Sequence, residues 1–328
     1  MTVLVTGASG LVGSHVVEAL VARGEPVRAL VRGPSRTIAA ALGAEPIEGD
    51  VTDAAAWRGA VDGVRAIVHA AAIVQRRAGW ARYFAVNVEG TRLAANAAGA
   101  AGAHLIHISS VAVYRGSAGY VPGDDPRGED EPFSPIANTD FYGRTKRLAE
   151  DVVREAAERG ALDVVALRPN VIYGERDRLF TPRVLRALEW PWLPQIGPGT
   201  NRISCVYAGN VAAAAVAALA APPRGFRAYN VTRDGGPALS QREFFTAFAT
   251  ALGRPYKTLP IPLPLATTVT RFLVAPRLAR AAVSFLSGDN PYSDDRIRAE
   301  LNWQPPTPAP DAIRRTVAWF IANEKPGR

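Results

Sequence analysis

Thr6-Gly7-Ala8-Ser9-Gly10-Leu11-Val12-Gly13 decides how the rest of the chain is read. The apolar run Thr2-Val3-Leu4-Val5 stands before it, and a stretch with helical periodicity, Gly13 to Ala22, opens at its end. The three glycines therefore fall in the turn between a first strand and a first helix. There they permit a tight turn, a close approach of backbone N–H groups to a pyrophosphate, and close packing of helix on strand.

Working outward, the first half alternates short apolar runs with alanine-rich helical patterns. Strands are predicted over Thr2–Thr6, Pro26–Val31, Glu45–Glu48, Ala66–His69, His104–Ser109 and Asp163–Leu167, and helices over Gly13–Ala22 and Asn87–Ala98. Successive βαβ units of this kind build an α/β protein with a doubly wound parallel sheet. After Leu167 the grammar changes, with Pro169, Pro182, Pro191, Pro194 and Pro198 breaking the chain into loops and short helices. A smaller C-terminal lobe is expected there, while Ile203–Val206 and Ala228–Val231 read as strands that return to the sheet. The resulting division is 1–172 plus 204–234 for the dinucleotide-binding part and 173–203 plus 235–328 for the second lobe.

Bulk properties exclude several classes. The chain has 328 residues, 48% of them hydrophobic and 21% charged, ordinary for a protein folded throughout. The formal charge of +8 is scattered rather than gathered into a stripe, so no nucleic-acid partner is expected and an anionic small ligand is the better use of it. A single cysteine, Cys205, precludes an internal disulfide, and no cationic leader precedes Thr2, so a cytoplasmic location is expected. Two uncharged stretches, Leu93–Tyr114 and Ile203–Pro223, are alanine-rich and interrupted by polar residues, and read as helix plus strand. The apolar stretch 259–286 carries Arg271, Arg277 and Arg280 and reads either as a helical cover over a pocket or as a peripheral membrane contact. The four histidines show no metal-ligand spacing, so no metal is expected, and no G-x-S-x-G string suggests a hydrolase.

The chemistry concentrates in Tyr142-Gly143-Arg144-Thr145-Lys146. Four residues apart on a helix, the ammonium of Lys146 lies on the face of the Tyr142 phenol and can stabilise its anion. With only three lysines in the chain, a chance pair at this spacing is rare. Ser109 and Ser110 end a strand, where α/β folds place ligands, and alternation points one of them into the cleft; Ser110 is the choice. At the end of the second strand, where an acid would take a ribose 2′-hydroxyl, Leu30-Val31-Arg32-Gly33 and Arg36 place arginines instead, which favours a 2′-phosphate and hence NADP, with NAD possible. Asp50, followed by Val51, is positioned for the adenine amine or for capping with Thr52 and Asp53.

TGASGLVG at 6–13, His-Ala-Ala-Ala at 69–72, Asn-Val-Glu-Gly-Thr at 87–91, SSVAVY at 109–114, YGRTK at 142–146 and Leu-Arg-Pro-Asn-Val-Ile-Tyr-Gly at 167–174 together resemble the extended short-chain dehydrogenase/reductase family (NAD-dependent epimerase/dehydratase) over nearly the whole chain. Arg202 to Val211 and Tyr229-Asn230-Val231-Thr232 resemble its 3β-hydroxysteroid dehydrogenase-like branch. The resemblance implies a Rossmann domain with a small C-terminal substrate-binding lobe, and Ser110, Tyr142 and Lys146 as the catalytic set. It also implies Leu11 and Val12 by the pyrophosphate, Ala70, Ala71 and Ala72 by the adenosine ribose, Asn87 in a structural or cofactor contact, and Pro169 and Val171 beside the nicotinamide; these join Gly7, Ser9, Gly10, Gly13, Arg32, Arg36, Asp50, Val51, Tyr142 and Lys146, read above from the residues, as the expected cofactor set. Arg115 departs from the glycine usual after SSVAVY, and Arg32 from the acid usual in steroid-type members.

The expected activity is interconversion of a secondary alcohol and a ketone on a hydrophobic, sterol-like or lipid-like molecule, for which Trp190, Trp192 and the 259–286 stretch offer apolar surface. A nucleotide-sugar epimerase or dehydratase with Arg202 as a diphosphate clamp is a second expectation. A non-catalytic NADP-sensing protein on the same fold is a third. A homodimer through helices flanking the sheet is the family-like expectation.

Overall fold

The computed structural model describes residues 2–74, 78–114, 126–160, 162–190, 192–254, 257–269 and 276–323, with the backbone alone for 276–281. Eleven strands are described: β1 Thr2–Thr6, β2 Val27–Val31, β3 Glu45–Glu48, β4 Val64–His69, β5 His104–Ile108, β6 Val164–Pro169, β7 Val171–Tyr173, β8 Trp192–Ile196, β9 Cys205–Tyr207, β10 Phe226–Val231 and β11 Lys257–Ile261. Seven form one parallel sheet in the order β10-β6-β5-β4-β1-β2-β3. Chain direction across the sheet reverses between β1 and β4, and the first helix, Leu11–Val21, leaves from that switch point.

Both faces are covered, as an all-parallel sheet requires. On one face, Val12, Val16, Val17 and Leu20 of the first helix meet Val211, Ala212, Ala215 and Ala218 of the helix Ala208–Ala220 over Val3, Val5 and Val68. Alanine on the second helix lets the two backbones approach closely. On the other face Leu4, Ile67 and Leu105 lie against Ala94, Ala95 and Ala98 of Gly90–Ala101 and Val153 of Phe141–Glu158. The strand expectations hold within two residues at their ends, but the pairing expected of β9 does not.

Ile203–Val206 does not return to the central sheet. β9 pairs instead with β7, Val171 opposite Cys205 and Tyr173 opposite Tyr207, in a separate two-stranded ladder. The physical reason is alternation: Val206 and Ile172 face the sheet core, whereas Cys205, Tyr207 and Tyr173 face a second core with Phe244, Phe245, Phe248, Ile313 and Val317. The ladder thus joins two cores rather than extending one. β10, by contrast, does close the edge of the main sheet, as read. The helix expected from Asn87 begins earlier, with the turn Trp80–Tyr83, and passes through a wide π turn over Phe84–Glu89 into Gly90–Ala101. Arg115, like Arg271, lies outside the described residues.

Candidate active site

Every motif singled out in the first half emerges at the carboxyl end of the sheet. The glycine turn follows β1, Ala70–Ala72 follow β4, Ser109 and Ser110 follow β5, and Pro169 ends β6, on four strands that are neighbours in the sheet. A crevice outside the strand ends at the switch point is where such sheets bind ligands.

Gly7 adopts φ +67°, and a Cβ there would come within 2.8 Å of the Ala71 nitrogen and 2.9 Å of the Ala70 carbonyl carbon. The glycine turn and the Ala70–Ala71 segment therefore touch backbone to backbone. Thr6 Oγ1 ties them together by accepting from Ala71 N at 3.2 Å. At Gly13 a Cβ would overlap the Gly7 carbonyl, 2.2 Å away, so the helix seats directly on the turn. Gly10 caps that helix without a side-chain acceptor, which leaves the N–H groups at its amino end, those of Leu11 and Val12 first, for an anion. These are the dimensions of a dinucleotide cradle, and the residues present fit the group.

Around the adenosine end, Arg32 and Arg36 are exposed, Arg36 Nη1 lying 2.9 Å from Glu48 Oε2 and Arg32 Nη1 3.9 Å from Asp50 Oδ2. Ser9 Oγ donates to Ser35 Oγ at 2.9 Å, joining the glycine turn to the arginine-bearing turn. Asp50 accepts from both the backbone and the hydroxyl of Thr52. Its partial burial opposes ionisation, but these bonds and the nearby Arg32 hold the carboxyl below its usual range. The capping function falls to Asp53, which accepts from Ala55 N.

The helix Phe141–Glu158 is started by Asp140, whose carboxylate accepts from Gly143 N at 3.0 Å. Tyr142, half-buried, thus stands in the first turn, where the helix's amino-terminal partial charge adds to the effect of Lys146 on a phenolate. Lys146 is 3% exposed, and its Nζ donates to the Ile108 carbonyl at 2.5 Å, at the end of β5. Burial lowers its ammonium to about 8, against the pull of the Glu150 carboxylate one turn on. Ser109 Oγ donates to Glu150 Oε2 at 2.7 Å and is spent there, whereas Ser110 Oγ accepts only from Ala112 N, at 3.2 Å, capping a short turn. Alternation separates the two serines as expected.

Asn87 is committed to structure. Its side chain accepts from Ile73 N at 2.7 Å and donates to Ile73 O and to Thr145 Oγ1, each at 3.1 Å, clamping the Ala70–Ile73 segment to the helix of Tyr142. The π turn is what delivers it there. Pro169 ends β6 buried, whereas Val171 opens β7 with 36% of its surface exposed, and Val51 packs below Gly90.

Several residues of the site escaped the sequence reading. Glu150 and Arg168 are an ion pair with 0% and 1% of their side chains exposed. Arg168 also donates to Tyr114 Oη at 2.6 Å, and Tyr114 donates to Asn230 Oδ1 at 2.9 Å, so β5, β6, β10 and the Lys146 helix share one polar network. A lone charge inside the apolar run Val164–Pro169 was the available signal, because a buried arginine requires a partner. His69 and His107 stack at 5.9 Å beneath the helix, both held well below their ordinary range by burial and by Lys146.

With this geometry in place, comparison with known proteins is specific. Residues 3–232 match the NAD dependent epimerase/dehydratase family. The chain belongs to it. Among curated relatives, a 4-hydroxy-2-methyl-3-oxo-4-farnesyl-3,4-dihydroquinoline-1-oxide ketoreductase of Stigmatella aurantiaca is 32% identical over 92% of this chain and 92% of its own. A 3 beta-hydroxysteroid dehydrogenase/Delta 5-->4-isomerase of Mycobacterium tuberculosis is 30% identical over 98% of this chain and 90% of its own. Among solved structures, a dTDP-glucose 4,6-dehydratase from Streptomyces venezuelae with NAD bound superposes with a TM-score of 0.74, at 25% identity and 98% coverage of both chains. The protein is an NAD(P)-dependent oxidoreductase of the extended short-chain dehydrogenase type, with a parallel Rossmann sheet.

Proposed function

We propose that this epimerase/dehydratase-family protein interconverts a ketone and a secondary alcohol on a large apolar molecule, using NADP. One observation supports the reading: Lys146, one helical turn from Tyr142, is anchored on the carbonyl of Ile108, two residues before Ser110. In the reductive direction the Tyr142 phenol gives its proton to the ketone oxygen; in the oxidative direction its phenolate removes the hydroxyl proton. Ser110 Oγ donates a hydrogen bond to the same oxygen and fixes its distance from the phenol. Lys146 stabilises the phenolate through its charge, and its ammonium would hold the nicotinamide ribose. When bound, the nicotinamide supplies or accepts the hydride.

The cofactor would lie with its pyrophosphate on Gly7, Ser9, Gly10, Leu11, Val12 and Gly13, its adenosine beside Asp50, Val51 and Ala70–Ala72, and its nicotinamide near Pro169 and Val171. Arg32 and Arg36 support a 2′-phosphate, since charge-assisted bonds from two guanidiniums reward a dianion that NAD lacks. The choice of apolar substrate follows the two curated relatives, whose names specify a farnesyl-bearing ketone and a steroid alcohol.

The nucleotide-sugar reading has one observation in its favour, an exposed Arg202 on the wall of a cavity of about 80 Å³ with Asn290 and Tyr292. Nicotinamide absorbance distinguishes the two. Steady consumption of NADPH with farnesylated or steroid ketones, faster than with NADH, is the expected result. Turnover of nucleotide sugars without net change in absorbance, and none with apolar ketones, would overturn it.

A further inference from the structure

Ten large apolar side chains are strongly exposed among the described residues, and six of them, Trp190, Trp192, Leu259, Leu263, Leu265 and Val269, come from β8, the turn before it, β11 and the helix that follows β11. The fold brings these elements together. β11 pairs in parallel with β8, setting Trp192 opposite Lys257 and Pro194 opposite Leu259, so these four project from the same side. The helix Leu263–Val269 follows at once and buries Ala266 against Ile196 and Val283, which turns Leu263, Leu265 and Val269 outward. Trp190 is 72% exposed and Leu265 55%. Isolated exposed apolar residues are ordinary, but a cluster of this size marks an interaction surface.

In sequence, the charged residues from the end of the preceding helix through the 259–286 stretch have one sign. From Leu252 to Gly288 the sequence holds Arg254, Lys257, Arg271, Arg277 and Arg280 and no acid. Lys257 Nζ lies 5.3 Å over the Trp192 ring, so the cation is kept at the edge of the apolar face. Glu189, beside Trp190, is the one acid in the neighbouring stretch from Arg178 to Arg202. A second copy of the chain fits poorly, because a two-fold contact through Trp192 and Leu259 would bring Lys257 of each copy toward the other. Exposed tryptophans and leucines beside a cation match the interface of an anionic bilayer, where indole rings prefer the headgroup level and each basic residue is attracted by the surface potential. Among the described residues no helix is long and apolar enough to cross a membrane, so the contact is face-on.

We propose that the β8–β11 face and the Leu263–Val269 helix dock this protein on the surface of an anionic membrane. The inference stands apart from the substrate reading and does not depend on which molecule Tyr142 meets.

The test sediments the full chain with vesicles of phosphatidylcholine alone and with one-third phosphatidylglycerol. Wild type is expected to bind the anionic vesicles roughly tenfold more tightly than the neutral ones, and added salt should erase the difference. The triple substitution Trp192→Ser, Leu259→Ser, Leu265→Ser should weaken binding to anionic vesicles by about tenfold or more. Lys257→Glu, an exposed single change that leaves the core intact, should weaken anionic binding by roughly tenfold and leave neutral binding alone, which decides the matter if the triple variant does not fold. Wild-type protein that pellets with neither vesicle, or substituted protein that pellets like wild type, overturns the proposal. So does a wild-type dimer in light scattering that the triple substitution splits, for the face would then belong to a second copy.

Discussion

The carboxyl edge of the central sheet and the outer face of the second lobe are built on opposite terms. At the sheet edge, polar groups bond one another: Ser109, Glu150, Arg168, Tyr114 and Asn230 form one buried chain of bonds, and Asn87 uses its amide on Ile73 and Thr145. On the lobe, Trp192, Leu259 and Leu265 are exposed, half or more of each residue's surface facing outward. A bonded, low-dielectric network holds reacting groups to fractions of an ångström, which chemistry requires, whereas an uncommitted apolar face is free to meet something outside the fold. On the two proposals above, the first region holds the reaction and the second meets a membrane.

The comparison breaks most visibly at Tyr142. Tyr142→Phe should lower turnover between about a hundredfold and ten-thousandfold while cofactor affinity, read by fluorescence titration, stays near wild type. Next is Glu150→Leu, which leaves Arg168 buried without its partner and should cost about 3–5 kcal/mol, measured as a lower denaturation midpoint. Substitutions on the lobe face such as Leu265→Ser should leave that midpoint nearly unchanged.

Adjacent serines sharpen the same contrast on a smaller scale. Ser110→Ala should reduce kcat by roughly a hundredfold with little loss of stability. Ser109→Ala should do the reverse, losing about 1.5–3 kcal/mol of stability through its bond to Glu150 while kcat changes little. Arg32→Asp with Arg36→Asp should raise KM for NADP roughly tenfold to a hundredfold and leave KM for NAD within a few-fold, since the lost bonds are to the 2′-phosphate alone.

A further effect concerns pH. Burial places the Lys146 ammonium at about 8 in the folded chain against 10.5 when exposed, so between these values the unfolded state binds more protons. Stability relative to a Lys146→Met variant should therefore rise as pH goes from about 8 to 10.5 and be flat below 8. Paired melting curves of the unliganded proteins check this, and a difference that falls with pH over that window would show that the lysine is not buried as described.

Most of the sheet was legible because each strand is a short apolar run bounded by turn residues, and the glycine turn and the Tyr142–Lys146 pair were legible because their function depends on local spacing. Three features were not. β9 looked like a strand of the main sheet, since pairing is not written in a strand's own composition. Glu150 and Arg168 lie 18 residues apart and meet only when β6 packs under the helix. The 259–286 stretch reads in sequence either as a cover over a pocket or as a peripheral membrane contact, and the β8–β11 register is what turns Leu259 to the side of Trp192. Sequence carries local geometry well and the choice of long-range partner poorly.

The most direct test of the account is a crystal structure of the protein with NADP and a steroid or farnesylated ketone. The Tyr142 hydroxyl should lie about 2.6–3.2 Å from the ketone oxygen, with Ser110 Oγ on the same atom and Lys146 Nζ on the nicotinamide ribose. A dinucleotide seated away from the Gly7–Gly13 turn, or a Tyr142 ring directed away from the ketone, would contradict it.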